Sequence, residues 1–240
     1  MPIEYTEVTP ARIYLQPVAA PSILGLYGFA GATFIVAAYL AAWYGTPDTP
    51  LYLAPFAAIF GGVAQFMAGM WAFKARDGLA TAMHGLWGSF WIAYGILSLA
   101  FARSGAPMPG GAFPELGYWF VVAAAITWIG AWGALAENIS MFLVLVFLAL
   151  GSTLEAIARL SGVTGALQLA AAYAFIISSL IAFYTASALM LAECYGHPVL
   201  GLGARRKGAN APVVTLGGGE PGVIRGQNLN LGPEAPASSH

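Results

Sequence analysis

The sequence is poor in charge. Only 8% of its 240 residues are Asp, Glu, Lys or Arg, where soluble domains carry about 25%. Between Leu51 and Phe73 there is no charged residue at all. A water-soluble globule is therefore excluded as the expected class. Cysteine is nearly absent too. The single Cys194 excludes an intrachain disulfide and any paired-cysteine metal site. The three histidines, His84, His197 and His240, are too few and too scattered to form a metal site. No nucleophile–base pair and no paired-carboxylate motif is present. The chain is thus not expected to be an enzyme or to carry a cofactor or a metal. A net charge of −1 without a basic stripe argues against nucleic acid as a partner. No secretory signal is evident, because residues 1–22 hold Glu4, Glu7 and Arg12 without a short apolar core.

What the chain has instead is apolar length. Hydrophobic residues make up 59% of it, and the mean hydropathy is +0.75. Apart from Glu155, the charges avoid six segments, Ile23–Tyr44, Leu51–Phe73, Leu79–Ala102, Leu116–Leu135, Met141–Ile157 and Gly165–Ala192. Each is of a length that can cross a bilayer as a helix, the fifth short and the sixth long. The alternation of an outer-membrane barrel is missing. The expected fold is all-α, a polytopic membrane protein with six transmembrane helices. Residues 1–22 read as a cytoplasmic N-terminal segment and 23–202 as the six-helix transport domain. Residues 203–240 read as a Gly/Pro-rich tail, expected to be disordered or held by a protein partner. The Gly217-Gly218-Gly219 run lacks the Lys-Ser/Thr of a phosphate loop.

Six spans put Arg12, Lys74, Arg76, Arg205, Arg206, Lys207 and Arg225 on one side, and Arg103 and Arg159 on the other. The positive-inside rule then predicts an integral plasma (inner) membrane protein with both termini cytoplasmic. The connections are short and leave no room for an inserted catalytic domain. Gly25, Gly28 and Gly31 in the first span, Gly62 and Gly69 in the second, and Gly88 and Gly95 in the third recur at helical spacing. Small residues at such spacing let helix backbones approach closely in lipid.

Polar groups inside apolar spans are the candidates for function. Gln65 lies centrally in the second span. An unpartnered amide in hydrocarbon costs about 4–8 kcal/mol, so Gln65 must either bond to a neighbouring helix or face a wet path. His84 lies one turn into the third span, with Trp87 close to the same face. Glu155 lies near the end of the fifth span with Arg159 at i+4, and Tyr184 lies in the sixth. The first span opens on Pro21, which suits a first helical turn. The backbone N–H groups near Gly25 and Leu26 then offer the positive end of a helix to a small anion.

Two motifs carry a resemblance. The second span reads Phe60-Gly61-Gly62-Val63-Ala64-Gln65-Phe66-Met67-Ala68-Gly69, and the third reads Trp87-Gly88-Ser89-Phe90-Trp91. With Pro21, Leu24-Gly25-Leu26, Gly28-Phe29 and the exit Glu193-Cys194-Tyr195-Gly196, residues 20–203 resemble the acetate uptake transporter family, the YaaH-like acetate–succinate permease type. The resemblance implies a hexameric ring in which each subunit has its own path. It implies uptake of acetate, and of succinate in some members, by proton coupling or channel-like conduction. It places an apolar constriction at Phe29, Trp87 and Leu148. This chain has Ala20 where the family has a signature asparagine and Trp87 where it has a tyrosine. His84 replaces a usually neutral aromatic.

The expected function is a transmembrane transporter or channel for small monocarboxylates, probed by Gln65, Tyr184, Gly25 and Leu26, with His84 and Glu155 as proton-coupling candidates. No Lys or Arg lies mid-membrane, which favours acetate over the succinate dianion. The expected partners are acetate or a similar carboxylate, the lipid bilayer and further copies of the chain. Two alternatives stand beside this reading. One is a channel for a neutral solute such as ammonia or urea. The other is a structural, partner-binding subunit that has lost transport.

Overall fold

The computed structural model describes residues 19–105, 109, 111–163 and 165–204, all in one compact unit that ends at Arg206. It contains α1 (Pro21–Leu40), α2 (Thr49–Phe56), a π-helical segment (Ala57–Ala64), α3 (Gln65–Ala75), α4 (Gly78–Ser104), α5 (Pro114–Ala134), α6 (Ile139–Ser161) and α7 (Ala166–Tyr195). The second, third and fourth of these run on as one continuous helix. Six helices among the described residues are therefore long and apolar enough to cross a membrane. No strand occurs among the described residues, and Asn138 and Ala204 form an isolated antiparallel bridge.

The helix ends follow local chemistry. Pro at the first position opens α1 and α5, where a missing N–H is harmless. Asp77 caps α4 by accepting from Ala80 N at 2.8 Å, and Asn138 caps α6 by accepting from Met141 N at 2.8 Å. The first span ends at Leu40, short of the expected Tyr44, because Ala42 turns left-handed at φ 58°. The fifth span is not short: α6 has 23 residues and continues past Ile157 to Ser161. Its extra length contains Arg159, which pairs with Glu155 one turn before it.

The second span is the irregular one. Pro55 sits inside α2 and has no N–H to donate to the preceding turn. The eight residues that follow are wound one residue wider, as a π-helix through Gly61 and Gly62. Gln65 is the first residue after that segment. Such π insertions occur frequently at functional sites.

The spans close a ring in chain order, with the seam between the second span and α4 the most extensive and α4–α5 the thinnest. The core inside it is rich in alanine, with Phe29, Trp87, Val144, Leu145 and Leu148 as its large members. Small residues allow the closest crossings. A Cβ on Gly62 would lie 2.9 Å from Ile92 N, and one on Gly69 would lie 2.9 Å from Gly85 N. Large apolar side chains point outward, among them Phe56, Ile59, Ile129 and Trp132. After α7 the chain returns to α6, where Ile139 N and Ser140 N donate to Gly203 O and Leu202 O. Gly203 and Ala204 are thereby held on the helical unit, and residues 205–240 of the expected tail lie outside the described residues.

Candidate functional site

The helices α1, α4 and α6 all begin on one side of the bundle, and a cavity opens there between them. It offers about 30 Å³ to the centres of water-sized occupants, where a single water needs about 10–15 Å³. Its outer rim holds Asp77 at the start of α4 and Glu137 just before α6. Its middle holds Ser22, His84 and Gln65, and its floor holds Phe29, Trp87 and Leu148. Asp77 and Trp87 are ten positions apart on α4, which is about 15 Å along its axis.

The floor is an apolar neck. Phe29, Trp87 and Leu148 are each 2% exposed. The rings of Phe29 and Trp87 meet edge to face, with centroids 6.4 Å apart. The one polar group of this neck, the indole N–H, is turned away: Trp87 Nε1 donates to Thr127 Oγ1 at 3.1 Å. The same hydroxyl donates to Ala123 O at 2.7 Å, so both partners are fixed from α5. Thr127→Val should leave the buried indole N–H unpaired at a cost of about 1–3 kcal/mol. The check is the thermal denaturation midpoint in detergent, which should fall for valine and stay near wild type for Thr127→Ser.

Above the neck are polar atoms without partners. Gln65 is 2% exposed and its Oε1 accepts no hydrogen bond, while His84 is 3% exposed and its Nδ1 has no partner. His84 Nε2 lies 3.4 Å from Ser22 Oγ in the first turn of α1. Its ring rests on Gly25, where any Cβ would collide with it. Gly28 serves the second span in the same way, because its bare face meets the Phe60 carbonyl of the π-helical segment. The missing side chains of α1 thus make room for the imidazole and bring the second span close.

The sequence-predicted residues divide into two groups. Phe29, Trp87, Leu148, Gln65, His84 and Leu26 line one cavity. Gly25 supports the His84 ring without lining the cavity. Tyr184 and Glu155 are elsewhere. The Tyr184 hydroxyl donates to Gly201 O at 2.8 Å on an exposed face of α7. Glu155 pairs with Arg159 through Oε1 at 2.7 Å, seven positions beyond Leu148 on α6 and so about 10 Å farther along it. The helix start offered to an anion is also partly taken, since Ala20 N donates to Glu193 Oε1 at 2.8 Å.

Sequence reasoning missed Thr127, Asp77 and Glu137. Thr127 is a lone hydroxyl in an apolar span, a signal of the kind that singled out Gln65. Asp77 carries the cap signature, Asp-Gly before a helix. Glu137 is half-buried at the cavity rim. Burial pushes its carboxyl up to about 7, and the charge of Asp77 adds to the rise. Among the described residues, no Lys or Arg lines the cavity. No group of His, Cys, Asp and Glu suited to a metal ion occurs among the described residues.

The model of the GPR1/FUN34/yaaH family matches residues 6–197. Among solved structures, the bacterial acetate channel SatP is similar to this chain at 22% identity, with a TM-score of 0.69, over 78% of this chain and 100% of that one. At that identity the likeness extends to the fold. No curated protein matches the chain.

Proposed function

The chain belongs to the GPR1/FUN34/yaaH family, and from that premise we propose that it conducts small monocarboxylates, acetate first among them, across a membrane. The observation that carries this reading is the stacking of two environments on one line. Buried polar atoms of Gln65 and His84 without partners lie directly above the apolar neck of Phe29, Trp87 and Leu148. A two-carbon acid has a head for the first and a methyl group for the second. The cavity is narrow, and its lack of a fixed cation favours a monoanion or a neutral acid over a dianion such as succinate. The solved acetate channel of similar fold supports the assignment.

The finer assignments belong to the same proposal. His84 carries the proton of a coupled or acid-stimulated mode, being the one imidazole on the path. The outward Phe56, Ile59, Ile129 and Trp132 meet lipid or neighbouring copies in a hexameric ring. Both termini face the cytoplasm, in an inner membrane, by the Lys/Arg asymmetry. The tail after Ala204 binds a protein partner.

The test is acetate uptake into proteoliposomes, with ammonia and urea run in parallel. Wild-type protein should exceed protein-free vesicles for acetate. Trp87→Ala, which removes the largest side chain from the neck, should admit longer monocarboxylates severalfold faster. Acetate flux no greater than that of empty vesicles, from folded protein, would sink the reading. Flux of ammonia or urea alone would move the assignment to a neutral solute.

A further inference from the structure

The rim of the cavity has a chemistry that the neck does not explain. An uptake path for anions would be expected to carry a fixed cation at its mouth. Here the ionisable groups that line the cavity among the described residues are Asp77, Glu137 and His84. Two carboxyls from different elements, the start of α4 and the turn before α6, line this one cavity and feel each other's charge. Beneath them, Gln65 Oε1 and His84 Nδ1 are buried and unpartnered. The rim therefore guards a polar chamber with a place for a ligand.

We infer that Glu137, set against Asp77, selects the permeant at this mouth: ionised it turns carboxylate anions away, and protonated it lets them in. The inference rests on the proposed conduction of monocarboxylates and adds its regulation. Asp77 is held at the start of α4 by its capping bond from Ala80 N, whereas Glu137 lies in the turn before α6 and caps no helix. Its carboxyl titrates at about 7, raised by burial first and by Asp77 second. Protonation of Glu137 removes one negative charge from the rim, and ionisation restores it. Carboxylate conduction from this side thus falls as pH rises through neutrality.

The groups that face Glu137 leave it the principal titrating charge at the rim. From α4 they are Asp77 and, deeper, His84, and the end of α7 brings Glu193 to the same side, where it accepts from Ala20 N and does not line the cavity. The α6 and α1 walls contribute Met141, Val144, Ser22 and Leu26, none of them ionisable. The second span contributes Gln65. Lys74 and Arg76 end the second span beside Asp77 without lining the cavity, and Lys74 lies over the Trp71 ring. Gly203 and Ala204, which pair with the start of α6, carry no charge. Arg205, Arg206 and Lys207 follow them in sequence, outside the described residues.

The experiment is acetate current through the full-length protein in planar bilayers, with equal acetate on both sides. It runs from about pH 6 to about pH 8.5, where acetate itself stays almost wholly ionised and ordinary carboxyls do not change charge. Wild-type current should fall severalfold with a midpoint near neutrality. E137Q should lose the fall centred near neutrality and keep only the acid stimulation that His84 supplies, and E137D should keep the fall. D77N retains a capping side chain and should shift the midpoint to lower pH, an effect that a merely structural role would not produce. A wild-type midpoint unchanged in E137Q overturns the inference while leaving acetate conduction standing. Absence of acetate current from wild type and E137Q alike overturns the conduction reading and the inference with it.

Discussion

Gly88→Leu is expected to prevent the chain from reaching its folded state, and Gly88→Ala to destabilise it severely. The reason is a backbone crossing in the middle of the bundle. A Cβ on Gly88 would lie 2.6 Å from Phe66 N, 2.8 Å from Phe66 Cα and 2.9 Å from Phe66 Cβ. Two of those three atoms are backbone, so no rotamer change can relieve the clash. Overpacking a core typically costs about 1–3 kcal/mol, and more where the backbone must move. The crossing cannot slide either. Gly62 and Gly69 hold the same pair of spans together above and below, against Ile92 N and Gly85 N. A shift at Gly88 would drag Gln65 and Trp87, its neighbours on either helix, out of the cavity wall.

The control lies three residues away. A Cβ on Gly85 would meet nothing within 4 Å, so Gly85→Ala should gain the helix preference of alanine, about 1 kcal/mol. Thermal denaturation in detergent should therefore rank Gly85→Ala at or above wild type and Gly88→Ala far below it. Equal midpoints for the two substitutions would show that the crossing is looser than the geometry implies.

The contrast between these two glycines also marks what a sequence can and cannot convey. The six spans are legible because the bilayer imposes a length and a polarity that composition alone records. The pairing of Gly62, Gly69 and Gly88 on close faces follows from helical spacing. That Gly85 is idle and Gly88 is not depends on which way α4 rolls against its neighbour, and spacing does not contain that. The π-helical turn is missed for a similar reason. Pro55 announces a disturbance in the second span, but its resolution by widening the following turns depends on what Gly61 and Gly62 meet across the bundle. Phe29, Trp87 and Leu148 converge as the family motifs imply, because motif and packing coincide there. Asp77 and Glu137 lie 60 positions apart, and only the closing of the ring makes them one rim. Tyr184 misleads because an intramembrane hydroxyl must find an acceptor, and the acceptor here is a carbonyl of the returning chain, Gly201 O, not a solute.

Arg159→Ala is expected to be the most damaging single loss of charge in the protein, at about 3–5 kcal/mol, the range for breaking one side of a buried pair. Arg159 is 8% exposed and Glu155 is 2% exposed. The guanidinium has three acceptors: Nε donates to Glu155 Oε1 at 2.7 Å, and Nη1 donates to Pro109 O at 2.9 Å and Gly111 O at 3.4 Å. It therefore joins the end of α6 to the connection between α4 and α5, the thinnest seam of the ring. Glu155 is less well served, since its Oε2 has no partner. The two single substitutions should consequently differ. Glu155→Ala leaves a cation that still has two carbonyls to bond, whereas Arg159→Ala leaves a buried carboxylate with no partner on either oxygen. The double variant removes both charges and should recover some of the stability that Arg159→Ala loses, since an uncompensated buried charge is worse than none. Midpoints of thermal denaturation for the two singles and the double form the test. The expected order, from least to most stable, is Arg159→Ala, then Glu155→Ala. The double should lie above Arg159→Ala. If Arg159→Ala proved milder than Glu155→Ala, the arginine would not be the clasp of this seam, and Glu155 would need a role beyond pairing with it.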